Sequence, residues 1–346
     1  MNSGRILSVQ SHVAYGYVGG KAAAFPLQCL GYDVDVVNTV HYSNHAGYAR
    51  AGGTKTTAAE LREIFESMER NELLNPSRLL TGYIPNAEAL SAVKGLAEKL
   101  TSENSNLTYL LDPVMGDSGR LYVAADVVPV YRDMLPLSTI ITPNGFEVET
   151  LTNISLTCLD SLLQALTKLH VTHRVPHVVI SSISLQPWLA RMLPPDLRPT
   201  DEADHLLCIT SSRRDDGSET PFRSTIHAQT VPLLPGYFSG VGDLFSALLL
   251  GHFDPSTPPS TALPRAAAQA LARTHAVLSR TLEFSRSLPE EEQLPSDDEK
   301  DKQNPLRKTR RMRGRELRLV QSLDILTEKR DREMVELPGI WDVSMN

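Results

Sequence analysis

Cysteine is scarce in this chain: Cys29, Cys158 and Cys208 are the three in 346 residues, and no CxxC spacing joins them. That excludes a disulfide framework and a cysteine-based zinc site, and each thiol is expected to be a buried small hydrophobe. Long hydrophobic runs are missing too, since no apolar stretch reaches the roughly 18 residues of a membrane span. The opening residues, MNSGRILSVQS, hold no signal-peptide core. Together these absences point away from a membrane and toward the cytoplasm, with the nucleus as a second location. Basic charge is in deficit: 34 Lys and Arg stand against 41 Asp and Glu, a formal net charge of -7. Unspecific nucleic-acid binding needs the opposite sign, so no nucleic-acid partner is expected, although a local site can still take an anion.

What remains is an ordinary soluble composition, with 41% hydrophobic and 22% charged residues. The length allows one large α/β domain or two average ones. Strand-like runs alternate with helical ones. Residues 5–10 form a first strand, and a glycine-rich loop from Ser11 to Gly20 leads to a helix over about 21–30, with Pro26 inside and Gly31 as its stop. A β-branched run over 32–40 follows. Residues 41–54 break both periodicities and read as a flap over a ligand. Thr57 and Glu60 spell a capping box, Asn86 caps a further helix, and Asp160 caps another. Further strands end at Tyr83, Asp112, Thr142 and Ser181.

Such alternation predicts a mostly parallel sheet with helices on both faces. In such sheets ligands bind beyond the carboxyl ends of the strands, where the polar clusters 11–20, 81–85, 112–117, 142–147 and 181–182 all fall. The proline-bearing region 185–223 reads as variable antiparallel edge strands with exposed loops. A helix over about 265–282 comes late. Residues 286–314 pass from an acidic to a basic block without an apolar face and are expected to be a disordered charged insertion. The alternation over Glu316–Val320 reads as a final edge strand. No internal repeat with a period of roughly 20–50 residues is present.

The chemistry centres on Gly240-Val241-Gly242-Asp243, followed by the apolar run Leu-Phe-Ser-Ala-Leu-Leu-Leu. The two glycines suit a turn that other residues disfavour, and a helix N-terminus offers free N–H groups and a positive dipole end to a phosphate. An acid at the same turn can take a proton from an attacking hydroxyl. Read alone, the stretch is better taken as a glycine-rich turn with Asp243 as an ordinary N-cap. Asp112-Pro113 and Thr142-Pro143-Asn144 are, alone, turn chemistry after a strand.

Taken together and in order, SHVAYGYVGGKAAAFPLQ, NTVHYSNHAGY, TGY, DPVMGD, ITPN-F-E and GVGDLFSALLL resemble the pyridoxal kinases of the ribokinase-like superfamily. The resemblance covers about 1–183 and 223–282, with RELRLVQS similar to the family's C-terminal strand. It implies a fungal-type member and one kinase domain over 1–346, with the fold of a three-layer α/β/α sandwich: a mostly parallel central sheet, helices on both faces and antiparallel edge strands. It further implies ATP-dependent phosphorylation of the 5′-hydroxymethyl group of pyridoxal, pyridoxine or pyridoxamine in vitamin B6 salvage.

Residue by residue, the resemblance makes Asp243 the catalytic base, with the amides of Gly240, Val241 and Gly242 as the anion hole. Ser11 matches a residue bonding the pyridine ring and Tyr83 an aromatic beside it; Val18, Tyr42 and Ala46 complete the substrate side. Asp112, Asn144, Glu147, Ser181 and Ser182, with Gly240 and Gly242, fall to the nucleotide. Asp117 and Glu147 fall near Mg²⁺ or another divalent cation. Asp112, with Thr142 and Ser181, falls to a monovalent cation such as K⁺. The family is usually homodimeric. His12, His41 and His45 fit no zinc spacing and read as loop histidines at the flap.

Three departures bear on turnover and substrate preference. Val241 stands where the family has Thr, losing a hydroxyl contact of about 0.5–3 kcal/mol. Ala46 stands where relatives often have Thr, and Pro85 replaces a frequently basic residue. The alternatives are a hydroxymethylpyrimidine-type kinase and a B6-vitamer binding protein without turnover. A dinucleotide-dependent oxidoreductase is the weakest reading, because no GxGxxG follows the first strand.

Overall fold

A computed structural model describes residues 4–117, 119–213, 222–328 and 333–343. The strands are β1 (Arg5–Val13), β2 (Asp33–Tyr42), β3 (Gly53–Lys55), β4 (Arg78–Thr81), β5 (Thr108–Leu111), β6 (Gly116–Asp117) and β7 (Arg120–Leu121). They continue with β8 (Ile140–Ile141), β9 (His177–Ser184), β10 (His205–Arg213), β11 (Ser224–Pro232) and β12 (Val335–Glu336). One ten-stranded sheet runs β12-β11-β10-β9-β8-β5-β4-β1-β2-β3, and β6 and β7 form a separate hairpin. The central pairs from β2 to β9 are parallel. β3 at one edge and β10, β11 and β12 at the other are antiparallel. This is the expected sheet, antiparallel edges included.

The main helices are α1 (Gly20–Cys29), α2 (Ala58–Arg70), α3 (Ala87–Glu103), α4 (Val127–Met134), α5 (Gly145–Thr152) and α6 (Leu159–Thr167). After a one-turn α7 (Pro187–Ala190) come α8 (Val241–His252) and α9 (Pro259–Arg286). Local signals set their starts. Thr57 and Glu60 exchange both capping-box bonds at α2, and Asn86 accepts from the Ala89 amide at α3. Gly31, with φ +89°, ends α1.

The period of two along each strand divides the core into two layers. Ile6, Leu80, Leu110, Ile140 and Val179 pack under α1, α8 and α9. Leu7, Leu79, Leu111, Ile141 and Val178 point the other way, under α2 to α6. The parallel strands therefore end along one edge, with the N-terminus of α8 arriving there. The chain lays β2 on one side of β1 and then β4 on the other, so a topological switch point opens between β1 and β4.

Several expectations need correction. Residues 286–314 carry three helices, α10 (Glu290–Gln293), α11 (Asp298–Gln303) and α12 (Pro305–Arg313). Opposite charges pair across them: Asp301 meets Arg311 at 2.5 Å and Arg307 at 3.4 Å, and Arg313 meets Glu292 at 2.8 Å. Met312 supplies a buried apolar contact. The buried pairs of Asp301 with Arg307 and Arg311 thus join the two blocks, while other charges of the segment stay exposed. Residues 316–319 are irregular and form no strand, and β12 is the edge strand instead. Leu317 and Leu319 alternate because they bury into the α8–α9 layer. Cys158, not Asp160, precedes the first turn of α6, and its side chain is exposed; Cys29 is half-buried and Cys208 alone is buried. In the 185–223 region, residues 214–221 lie outside the described residues.

Candidate active site

The turn before α8 is built on one glycine. Gly240 is the N-cap in the left-handed region, φ +77°, and a Cβ there would overlap the Tyr17 carbonyl. Gly242 differs: it is helical and exposed, and a Cβ on it would meet only the Asp112 Oδ2, at 3.9 Å. Only the first glycine is demanded by the turn. The second keeps the surface above Asp112 bare.

Asp243 is not an N-cap. It is the third residue of α8, and its Oδ2 accepts the Gly19 backbone N–H at 2.7 Å, from the loop after β1. Gly240 has no side chain with which to cap the helix. The amides of Val241, Gly242 and Asp243 are first-turn donors that lack intrahelical acceptors. Burial raises the Asp243 pKa above the ordinary 3.8, and the Gly19 hydrogen bond pulls it partly back.

Below this turn runs a buried polar chain. Ser246 Oγ donates to Asp112 Oδ2 at 2.9 Å, and Thr142 Oγ1 lies 2.9 Å from Ser246 Oγ. With the Ser246 hydrogen on Asp112, Thr142 is the donor in the second bond. Asp112 is 6% exposed, and its pKa is raised well above the usual range. Burial is the main cause, followed by the charges of Glu147 and Asp243, with the Ser246 and Thr142 hydroxyls opposing. Ser246 is the residue that sequence reasoning passed over. Its signal was one polar position, three after Asp243, in an otherwise apolar helix.

Asn144 and Glu147 form a clamp. Asn144 Oδ1 accepts the Glu147 N–H, and Glu147 Oε2 accepts the Asn144 N–H, each at 2.9 Å. Glu147 Oε1 accepts the Met115 N–H at 2.9 Å, and Asn144 Nδ2 donates to the Gly116 carbonyl at 2.8 Å. This fastens the 112–117 turn to α5. With both oxygens occupied and the residue 4% exposed, Glu147 stands as a scaffold for that turn. Burial pushes its pKa to about 7 against the pull of those amides. Asp117, exposed on β6, is the acid of this turn that faces outward. Among the described residues, no three of His, Cys, Asp and Glu gather closely enough to hold a metal by themselves.

On the other side of Asp243, Ser11 lies in β1, not in a loop, where the pairing with β2 shifts register between Gln10 and His12. Its carbonyl and hydroxyl occupy the space a Gly19 Cβ would need, so Gly19 brings the Asp243 tether against Ser11. Val18 is buried next to Gly240. Tyr42 ends β2, and Tyr83 follows β4 half-buried, its pKa raised by burial first and then by Tyr42. Ser181 continues β9, its N–H donating to the Pro143 carbonyl at 3.0 Å, and Ser182 follows it, also half-buried. Ala46 is exposed in segment 41–54, whereas His45 and Tyr48 beside it are buried and bond Glu316. His12 and His41 stack obliquely with ring centres 5.8 Å apart.

A mostly parallel sheet between two helical layers, with a glycine-capped helix N-terminus and an acid in its first turn at the carboxyl edge, is the ribokinase-like fold. The comparisons with known proteins agree. The family model described as phosphomethylpyrimidine kinase matches residues 32–193. A pyridoxal kinase of Arabidopsis thaliana is 40% identical over 284 residues, covering 82% of this chain and 84% of the relative. A putative pyridoxal kinase of Schizosaccharomyces pombe is 35% identical over 300 residues, covering 84% and 90%. The structure of pyridoxal kinase from Leishmania donovani in complex with ADP and pyridoxamine superposes with a TM-score of 0.76 at 30% identity, covering 96% of this chain and 99% of that one. The chain belongs to the pyridoxal kinase family.

Proposed function

We propose that this protein transfers the γ-phosphoryl group of ATP to the 5′-hydroxymethyl group of pyridoxal, and likewise of pyridoxine and pyridoxamine, in vitamin B6 salvage. Family membership supports the reaction and the ADP-bound relative supports the donor. The observation that carries the residue assignment is Asp243, whose carboxylate turns away from its own helix to Gly19 and leaves the first-turn amides of α8 to an anion.

Asp243 takes the proton of the substrate alcohol as its oxygen attacks the γ-phosphorus, and the raised pKa makes that carboxylate a better base than an exposed one. The amides of Val241 and Gly242 receive the oxygens of the moving phosphoryl group, and the bare Gly242 lets them approach. Ser11, Val18, Tyr42, Tyr83 and the flap around Ala46 surround the vitamer. Ser181 and Ser182, with the turn that Asn144 and Glu147 hold, border the nucleotide.

The acids fit hard cations. Asp112, Glu147 and Asp243 raise negative potential at one edge without enough carboxylates to cage a metal, which suits Mg²⁺ arriving on phosphates and keeping waters. Asp117 and Asp112 would hold it, with Glu147 acting through the turn it clamps. When bound, Mg²⁺ neutralises charge on the transferred phosphate. Asp112 and Thr142 would border a monovalent cation such as K⁺. The assembly proposed, from the family resemblance, is a cytoplasmic homodimer. No helix among the described residues is long and apolar enough to cross a membrane.

The match to the phosphomethylpyrimidine kinase description favours one second reading, in which the acceptor is a hydroxymethylpyrimidine. Purified protein with MgATP and each alcohol separates them. Phosphorylated pyridoxal that disappears in Asp243→Asn supports the first reading; a far better rate on the pyrimidine moves the assignment to the second.

A further inference from the structure

We propose that Glu316 is a positioning residue, tethering the 41–54 flap to the loop after β1, so that the segment following α12 sets how tightly the vitamer is held. The proposal rests on the reading of 41–54 as the substrate flap.

Three bonds converge on this one carboxylate. Oε1 accepts the Tyr48 hydroxyl at 2.7 Å and faces His45 Nε2 at 3.0 Å, both from the flap. Oε2 accepts the Tyr17 backbone N–H at 2.9 Å, two residues before the amide that holds Asp243. The His45 tautomer follows from its other nitrogen. Nδ1 accepts the Gly47 N–H at 3.1 Å, so the ring proton sits on Nε2 and points at Glu316. No charge on the imidazole is needed. Ser239 Oγ also reaches His45 Nδ1 at 3.1 Å, which brings the residue before Gly240 into the same network.

The site is closed to solvent: the side chains of Glu316 and His45 are 12% and 7% exposed. Burial pushes the Glu316 pKa up, but the His45 and Tyr48 hydrogen bonds outweigh it, and the carboxyl ends below its ordinary value, hence ionised at neutral pH. Gly16, φ +93°, leaves room that a Cβ would take from this carboxylate. Neighbouring contacts run to the same loops. Arg315 lies over the Phe238 ring, 5.7 Å from its centre, and the Met312 methyl lies 3.1 Å from where a Gly47 Cβ would stand.

The test is steady-state kinetics on Glu316→Ala and Glu316→Gln, with hydrogen exchange on the substrate-free proteins. Losing this tether in Glu316→Ala should raise KM for pyridoxal about tenfold and leave KM for ATP within about twofold. Exchange should quicken in 44–49 while β1 and β4 keep their protection. Glu316→Gln retains an acceptor oxygen and should recover much of the loss. Should Glu316→Ala fail to fold, Tyr48→Phe, which deletes one hydroxyl, should shift pyridoxal KM and flap exchange the same way by a smaller factor. Unchanged pyridoxal KM with unchanged flap exchange would overturn the proposal. So would equal rises in both KM values, or no difference between the Ala and Gln variants. The exchange measurement uses no substrate, so failure of the tether and failure of the kinase reading give separate results.

Discussion

Gly19 and Asp243 are 224 positions apart, and the backbone N–H of the first donates to the carboxylate of the second at 2.7 Å. The bond joins the loop after β1 to the first turn of α8. It turns the acid away from the helix that carries it and toward the loop after β1. A donor that favours the ionised form also keeps the carboxylate able to accept a proton despite burial.

Replacing Asp243 by Asn keeps an oxygen for the Gly19 amide and removes the base. The kcat for pyridoxal phosphorylation should fall by about 10²- to 10⁴-fold, with the melting temperature little changed. A coupled assay of ADP release checks this. Wild-type turnover in the variant would move the base elsewhere.

The two glycines should part company. Gly240→Ala meets both a left-handed φ and the Tyr17 carbonyl, so stability should drop by more than about 1 kcal/mol. Gly242→Ala meets no neighbour closer than 3.9 Å and sits in a helix, so folding should hold. Its methyl would stand on the phosphate face, and kcat/KM should fall about tenfold or more. Chemical denaturation and initial rates read the two effects independently.

Val241→Thr adds the hydroxyl that the family pattern carries at this position. One neutral hydrogen bond to the phosphoryl group should raise kcat/KM about two- to tenfold, measured with pyridoxal at saturating ATP. A drop would mean that the Val241 methyls do work a hydroxyl cannot replace.

Glu147 makes stability depend on pH. Its carboxyl titrates at about 7 in the fold against 4.5 for an unperturbed glutamate, so the folded state holds the proton more tightly. The stabilising contribution is complete below about pH 4.5 and is lost as pH rises through about 7. Against Glu147→Gln, which does not titrate, the wild type should therefore gain relative melting temperature between pH 8 and pH 5. Parallel curves for the two proteins would show that this carboxyl is not the titrating group.

Much of this architecture was legible because strand ends carry their own signature. Asp112, Thr142 and Ser181 each follow a short apolar run, and parallel strands must bring such ends to one edge. Asp243 was legible by its place at the mouth of an apolar helix. What escaped depends on contacts between distant segments. Ser246 is one polar letter among leucines, and only the fold sets it between Asp112 and Thr142. Glu316 opens an alternation that imitates a strand, although Leu317 and Leu319 alternate because they bury against α8 and α9. In 286–314 the charges looked solvated because their partners, Asp301 with Arg311 for one, lie about three helical turns apart in sequence and meet only when α11 and α12 fold together.

The Glu316 tether also bears on how the protein comes into being. Chains are made from the N-terminus, and a domain folds as a unit. Tyr17, His45 and Tyr48 are synthesised long before the carboxylate that binds them, and so is the whole of α8 with Asp243. A polypeptide broken off in α9 would hold every residue assigned to the chemistry and still lack the one that joins the flap to the first loop. Tight holding of the vitamer would then be the last property of the site to arrive in translation.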